Sequence, residues 1–98
     1  IMIKIEKEIK GNSAIMKLDG WLDIQTSSDF AKAIEELEDS ITELTLDLEK
    51  LEYTSSAGLR QIVAAHKKMN GKLTVKNVCS EIMDVFKMTG FDKRLHIE

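Results

Sequence analysis

Apolar and polar residues alternate near the start of the chain, at the period of a strand that packs one face on a core. The alternation covers residues 1–5 and returns over residues 14–18, and the turn signal Gly11-Asn12 lies between the two stretches. This arrangement predicts a β-hairpin, whose second strand we expect to end at Asp19-Gly20.

Three later segments have the apolar spacing of amphipathic helices. The first begins around residues 26–29, where a capping hydroxyl is followed by Asp29 in the pattern of a capping box. The second runs from the Ser55-Ser56 pair to the stop signal Asn70-Gly71, and the third covers residues 80–90. The predicted buried stripe of the first helix consists of Phe30, Ile34, Leu37 and Ile41.

Further strands are predicted between and after these helices. Residues 43–48 and 72–78 alternate again, and residues 95–97 form a short last strand. The element order β-β-α-β-α-β-α-β predicts an α/β fold, with a mixed sheet of about five strands covered by helices. Because no linker or repeat divides the chain, we expect one domain, residues 1–98.

Composition argues against several classes of function. The net charge is −3 and the basic residues are scattered, so we expect no nucleic-acid partner. No apolar run reaches the length of a membrane helix, which predicts no membrane insertion. The single cysteine, Cys79, fits a reducing cytoplasm, and the charged N-terminal alternation predicts no signal peptide. The expected protein is cytoplasmic, and any action on transcription would go through protein partners.

The chain offers little catalytic chemistry. His66 and His96 are its two histidines, and neither has a cysteine or carboxylate at metal-ligand spacing. No phosphate loop and no dinucleotide-binding glycine pattern is present. The segment from Thr54 to Gly58 lacks the leading glycine of a hydrolase nucleophile elbow. The sequence therefore predicts a protein that is not an enzyme, with no catalytic residue, no metal site and no cofactor.

The junction between the central strand and the second helix is rich in hydroxyl groups. Ser55 and Ser56 lie at or next to the helix N-cap, where side-chain oxygens accept hydrogen bonds from free backbone N–H groups. Gly58 falls in the first turn, where glycine costs up to about 1 kcal/mol relative to alanine and leaves the backbone bare for close approach by another group. From local chemistry alone, helix capping is the simplest explanation for both serines.

Over its whole length the chain resembles the STAS domains, and among them the single-domain bacterial anti-sigma-factor antagonists. The most specific similarity is the segment LTLDLEKLEYTSSAGL, residues 44–59. The more common patterns are LDGWLDIQT at residues 18–26, NGKLTVKNV at residues 70–78 and IMDVFKMTGFDK at residues 82–93.

The resemblance implies a site at the start of the second helix. The family signature reads approximately Asp-Ser-Ser/Ala-Gly-Leu and is phosphorylated on the serine after the aspartate, which corresponds to Ser56. Ser55 takes the place of the common aspartate. Asp23 matches the carboxylate of the family's Gly-x-Leu-Asp segment and Asp47 matches its strand aspartate, and the resemblance implies that both lie near the helix start. Of the two we expect Asp23 to be functional, and the alternative for Asp47 is that it only organises the loop. The residues expected to bind a partner are Asp23, Thr26, Ser55, Ser56, Ala57, Gly58 and Arg60.

The mechanism that the resemblance implies is partner switching. The unphosphorylated protein would bind an anti-sigma factor with serine kinase activity and free the sigma factor, phosphorylation of Ser56 would release the complex, and a serine phosphatase would reverse the modification. An alternative is a STAS regulatory subunit of a lipid ABC-type transport system, which would bind an ATPase subunit through the same helix start. The missing aspartate at position 55 leaves this alternative open. A third class, an enzyme or small-ligand module, has no support in the sequence.

Overall fold

The computed structural model describes residues 2–98, and Ile1, part of the predicted first strand, lies outside them. The elements follow the predicted order. The strands are β1 (Ile3–Lys10), β2 (Ser13–Leu22), β3 (Glu43–Thr54), β4 (Leu73–Lys76) and β5 (His96–Ile97). The helices are α1 (Ser27–Glu35), α2 (Ser56–Lys68) and α3 (Ser80–Thr89), and a short 3-10 turn over Phe91–Lys93, which the sequence pattern does not predict, follows α3.

The strands form one mixed sheet in sequence order, β1-β2-β3-β4-β5. β1 and β2 form the predicted antiparallel hairpin, and β2 to β5 are parallel to one another. A helix joins each parallel pair, because parallel strands need a crossover connection. Such crossovers share one hand, so a sheet in sequence order carries its helices on the same face.

The core lies between this face of the sheet and the helices. Alternate residues of β2 and β3 are buried, and the residues between them face outward on an open side of the sheet. Phe30 of α1 and Phe86 of α3 are fully buried, and each contributes roughly 2 kcal/mol by burial. The predicted stripe of the first helix is confirmed for Phe30 and Ile34. The prediction is wrong about helix length, since α1 ends at Glu35 and Ile41 reaches the core from the loop that follows.

Both central strands are longer than the alternation predicts. β2 continues past Asp19-Gly20 to Leu22, and β3 continues past Leu48 to Thr54. Two register shifts interrupt the pairing of residues 17–21 of β2 with β3. Such irregularities break the two-residue period while the strand itself goes on. The extra length brings the ends of both strands to the same edge of the sheet.

Candidate functional site

Most of the predicted functional residues lie where β2 and β3 end. Leu22 pairs with Thr54 in the last register position of the two strands, and the Ser55 N–H donates to the Leu22 carbonyl at 2.9 Å. The loop that leads into α1 therefore lies next to the first turn of α2. We call residues 23–28 the α1 start and residues 54–58 the α2 start.

Ser55 is the N-cap of α2, within the position predicted from the sequence. Its backbone is extended, with φ −92° and ψ 173°, and its Oγ accepts a hydrogen bond from the Gly58 N–H at 3.1 Å. Its carbonyl accepts from the Leu59 N–H at 3.0 Å, which begins the helical pattern. A serine N-cap typically stabilises a helix by about 1 kcal/mol. The Ser55 hydroxyl is half-buried and already occupied by this function.

Ser56, the first residue of α2, is exposed to solvent. Among residues 2–98 its hydroxyl makes no hydrogen bond to another group of the protein. The first turn of α2 contains no acidic residue, so no carboxylate there offsets the positive end of the helix dipole. Ala57 is half-buried beside it, and Arg60 is exposed one turn further along. An anion can therefore be attached to Ser56 without breaking an intramolecular bond.

Gly58 is buried, and it allows α2 to lie close to β2. A Cβ built at this position would lie 2.5 Å from the Leu22 carbonyl oxygen and 2.7 Å from Thr54 Oγ1. Real Cβ atoms do not approach backbone oxygens this closely. The group that approaches the bare backbone is therefore β2 of the same chain.

Asp23 holds the α1 start together through hydrogen bonds to the residues that follow it. Its Oδ1 accepts from the N–H groups of Gln25 and Thr26, each at 2.9 Å. The bond from the Thr26 N–H is the main cause that holds the pKa of Asp23 below its ordinary value. The carboxylate is therefore ionised at neutral pH, and one of its oxygens is engaged in its own loop.

Thr26 is the N-cap of α1 but does not cap it with its side chain, so the predicted capping box is wrong. Its backbone is helical, with φ −89° and ψ −13°. Its Oγ1 donates to the Trp21 carbonyl at 2.8 Å and accepts from the Asp23 N–H at 2.9 Å. The hydroxyl thus points back toward β2 instead of along the helix. Because Thr26 is only 4% exposed, its hydroxyl is not available to a partner.

The expectation that Asp47 lies near the helix start is wrong. Asp47 is in the first half of β3, beside Lys76 of β4, and the strand between it and Thr54 spans about 20 Å at about 3.3 Å per residue. Its Oδ1 accepts from the Asn77 side-chain amide and from the Glu49 N–H, both at 3.0 Å. The Asn77 bond is the main cause of its lowered pKa. Asp47 therefore ties β3 to the loop after β4.

An exposed apolar cluster, which the sequence analysis missed, lies at the same edge as Ser56. Trp21 and Tyr53 are register partners on the open face, with ring centroids 5.4 Å apart. The Met2 backbone lies beside Trp21, because the Met2 carbonyl accepts from the Trp21 N–H at 3.5 Å, and Ile24 lies in the α1 start. Met2 and Ile24 are 82% and 77% exposed. We call Met2, Trp21, Ile24 and Tyr53 the apolar rim. In the sequence, the available signal was that Trp21 and Tyr53 are apolar residues at outward positions of β2 and β3.

The edge brings an accessible hydroxyl and exposed apolar side chains together. The Ser56 hydroxyl lies at the same edge as exposed aromatic and aliphatic side chains, which are typical of protein contacts. Within residues 2–98, no three His, Cys, Asp or Glu side chains are placed to share a metal ion. No helix in this part of the chain is long and apolar enough to cross a bilayer.

Comparison with known proteins identifies the family of this chain. The sequence profile of the STAS domain matches residues 4–98. The fold is similar to that of an anti-sigma factor antagonist from Mycobacterium paratuberculosis, with a TM-score of 0.87 and 23% identity, over 98% of this chain and 85% of that one. It is also similar to a putative anti-sigma factor antagonist from Thermotoga maritima, with a TM-score of 0.85 and 19% identity, over 95% and 84% of the two chains.

A third similar structure is that of the Bacillus cell fate determinant SpoIIAA in its phosphorylated form. Its TM-score is 0.65 at 17% identity, over 99% of this chain and 91% of that one. At identities this low, the structural likeness to all three proteins concerns the fold.

Proposed function

The chain belongs to the STAS domain family, and we propose that it is an anti-sigma-factor antagonist that works by partner switching. In this proposal the unphosphorylated protein binds an anti-sigma factor with serine kinase activity, which then releases its sigma factor. Phosphorylation of Ser56 separates the complex, and a serine phosphatase restores binding.

The availability of the Ser56 hydroxyl is the observation that carries the proposal. The two helix starts contain six hydroxyl side chains, and five of them are engaged in hydrogen bonds within the protein. Among these six, only Ser56 combines an exposed side chain with an unbonded hydroxyl. The engaged residues are Thr26, Ser27, Ser28, Thr54 and Ser55.

The apolar rim supports protein binding at the same edge. Aromatic residues are enriched among the side chains that contribute most to interfaces, and Trp21 and Tyr53 stand on the open face beside the α2 start. A neutral Ser56 lets a partner close over this surface. A phosphate adds about −1.5 to −2 charge, and burying that charge in an unmatched interface costs several kcal/mol.

Solved structures of similar proteins support the antagonist role and the phosphorylation separately. The similar protein from Mycobacterium paratuberculosis is described as an anti-sigma factor antagonist, and the one from Thermotoga maritima as a putative anti-sigma factor antagonist. The similar Bacillus protein is described in a phosphorylated form. A STAS fold of this shape therefore accommodates both properties.

Substitution of Ser56 tests the switch. The Ser56→Ala protein should bind the anti-sigma factor whether or not kinase and ATP are present, and Ser56→Asp should bind more weakly. Phosphorylated wild-type protein should bind more than a hundredfold more weakly than the unphosphorylated form, since about 3 kcal/mol suffices for that factor. Isothermal titration calorimetry measures the affinities. Ser28→Ala and Ser28→Asp, at the exposed serine of the α1 start, are the matched controls. Equal affinity of Ser56→Ala and Ser56→Asp would contradict the switch.

The modification itself is tested with the candidate anti-sigma kinase from the same genome. The protein is incubated with that kinase and ATP, and the phosphate is mapped by mass spectrometry. We expect it on Ser56, with loss of the complex. Phosphate on Ser28 or Ser55 with Ser56 unmodified would reject the assignment.

Ser55 favours a second candidate function. It stands where the family commonly has aspartate, so Ser56 lacks that fixed negative neighbour. A STAS regulatory subunit of a lipid ABC-type transport system would bind an ATPase subunit through this edge, and phosphorylation would play no part. A stable complex with such an ATPase subunit, in cells where Ser56 carries no phosphate, would select this function over partner switching.

A further inference from the structure

Arg60 is a cation without an anionic neighbour on its own helix. α2 contains no aspartate or glutamate over Ser56–Lys68, so the positions three and four residues from Arg60 are all neutral. The Arg60 side chain is exposed. The ion pairs found within 4 Å among residues 2–98 involve other side chains. The guanidinium is therefore held by no carboxylate in the unmodified protein.

Ser56 is the residue four positions before Arg60. Residues at this spacing lie on the same face of a helix, with Cβ atoms about 5–6 Å apart. Such a pair is more favourable when the anion is on the N-terminal residue and the cation is on the C-terminal residue. The guanidinium fork also matches phosphate oxygens for two parallel hydrogen bonds. Ser56 is thus the position on α2 where an added phosphate lies within reach of Arg60.

We propose that Arg60 binds the phosphate of phosphorylated Ser56 within the same chain. This inference rests on the proposed modification of Ser56 and concerns what the modification does to the surface. In the unmodified protein Arg60 is free to pair with a carboxylate of the anti-sigma factor. After phosphorylation the same guanidinium binds the phosphate instead. Phosphorylation then changes the interface in two ways, because it adds an anion and makes the Arg60 cation unavailable to the partner.

The ion pair is tested on a protein that carries phosphoserine at position 56, installed by genetic code expansion so that no kinase is needed. The thermal midpoints of modified and unmodified protein are compared in the wild type, in Arg60→Gln and in Lys67→Gln. Lys67 is the control because it is an exposed cation of α2 outside i±4 reach of Ser56. We expect phosphorylation to raise the midpoint by about 2–4 °C more in the wild type than in Arg60→Gln. The Lys67→Gln protein should behave as the wild type.

A spectroscopic readout separates a direct bond from a general charge effect. The Arg60 Nε–H signal in ¹H–¹⁵N NMR spectra should shift and its hydrogen exchange should slow on phosphorylation. Arg60→Lys should recover only part of the midpoint gain, because an ammonium lacks the planar fork. An unchanged Arg60 Nε–H signal, or an equal midpoint gain in wild type and Arg60→Gln, would overturn the proposal.

Binding measurements then separate this inference from the proposed function. Arg60→Gln should weaken the binding of the unmodified protein to the anti-sigma factor. It should also reduce the factor by which phosphorylation lowers that affinity. If phosphorylation abolishes binding equally in both proteins, partner switching stands and the role of Arg60 is wrong. If the NMR shift is present but phosphorylation leaves the affinity unchanged, the ion pair stands and partner switching is wrong.

Discussion

The two neighbouring helix starts have similar sequences and different structures. Each follows the end of a parallel strand and brings three hydroxyl residues to the same edge of the sheet. At the α1 start, Asp23 and Thr26 bond to each other, Thr26 also bonds to Trp21 of β2, and two of the three hydroxyl residues are buried. At the α2 start, Ser55 caps the helix and Ser56 is left outside the network.

The difference shows how a hydroxyl-rich helix start becomes either a structural loop or a surface that can be modified. Asp23, three to five residues before the hydroxyls, closes the backbone into a turn because its side chain accepts from the N–H groups that follow it. Glu52 lies two to four residues before the hydroxyls of the α2 start, but it belongs to β3, is exposed and makes no hydrogen bond to this start among residues 2–98. The chain enters the helix directly through Ser55. Because no carboxylate is hydrogen-bonded into the α2 start, one hydroxyl is left free at the end of a helix. Four changes sharpen or break this comparison.

Gly58→Ala should give the largest effect, because it changes the contact that brings α2 onto β2. If nothing touched position 58, alanine would stabilise the helix by about 1 kcal/mol. The built Cβ is 2.5 Å from the Leu22 carbonyl oxygen, which belongs to the backbone and cannot turn away. We expect a net loss of about 2–3 kcal/mol in the free energy of unfolding. Urea denaturation measures it, and a gain in stability would contradict the close contact.

Thr26→Val should give the next largest effect, at the α1 start. Valine keeps the shape but leaves the Trp21 carbonyl and the Asp23 N–H without their partner. An unsatisfied, largely buried polar group costs about 1–3 kcal/mol, so we expect a loss of about 2 kcal/mol by the same assay. Ser56→Ala is the control at the α2 start and should change stability by less than about 0.5 kcal/mol. Equal losses in the two variants would remove the distinction between the two starts.

Ser55→Ala should have a smaller effect than Thr26→Val, since it removes one capping bond at a half-buried position. We expect a loss of about 1 kcal/mol in the free energy of unfolding. Ser55→Asp should keep the wild-type stability or exceed it, because aspartate caps equally well and its charge favours the helix N-terminus. An unchanged stability in Ser55→Ala would show that Ser55 Oγ does not stabilise α2 through the Gly58 N–H.

The success of sequence reasoning here depends on how local each interaction is. Ser55 could be placed at the N-cap, because capping involves a residue and the N–H groups just after it. Thr26 could not be understood in this way, since its hydroxyl bonds to Trp21, which the pattern assigned to a loop beyond a strand end. The contact of Gly58 depends on Leu22, thirty-six positions away in sequence. The apolar rim was missed because register shifts hide the outward positions of β2 and β3.

Of the two helix starts, acidification should affect only the α1 start. Its effect should be the smallest of the four changes. The pKa of Asp23 is lowered chiefly by the hydrogen bond from the Thr26 N–H. The stabilisation it provides is thus complete above the aspartate pKa of the unfolded chain and is lost as the pH falls through the lower folded value. The amide signals of Gln25 and Thr26 should shift with that midpoint in NMR spectra, and Asp23→Asn should abolish the shift. Because residues 54–58 include no carboxylate, the Gly58 amide should stay still over the same range. A Gly58 shift that persists in Asp23→Asn would mean that the bond from Gly58 to Ser55 responds to acid by another route, and that the two starts differ less than their hydrogen bonds indicate.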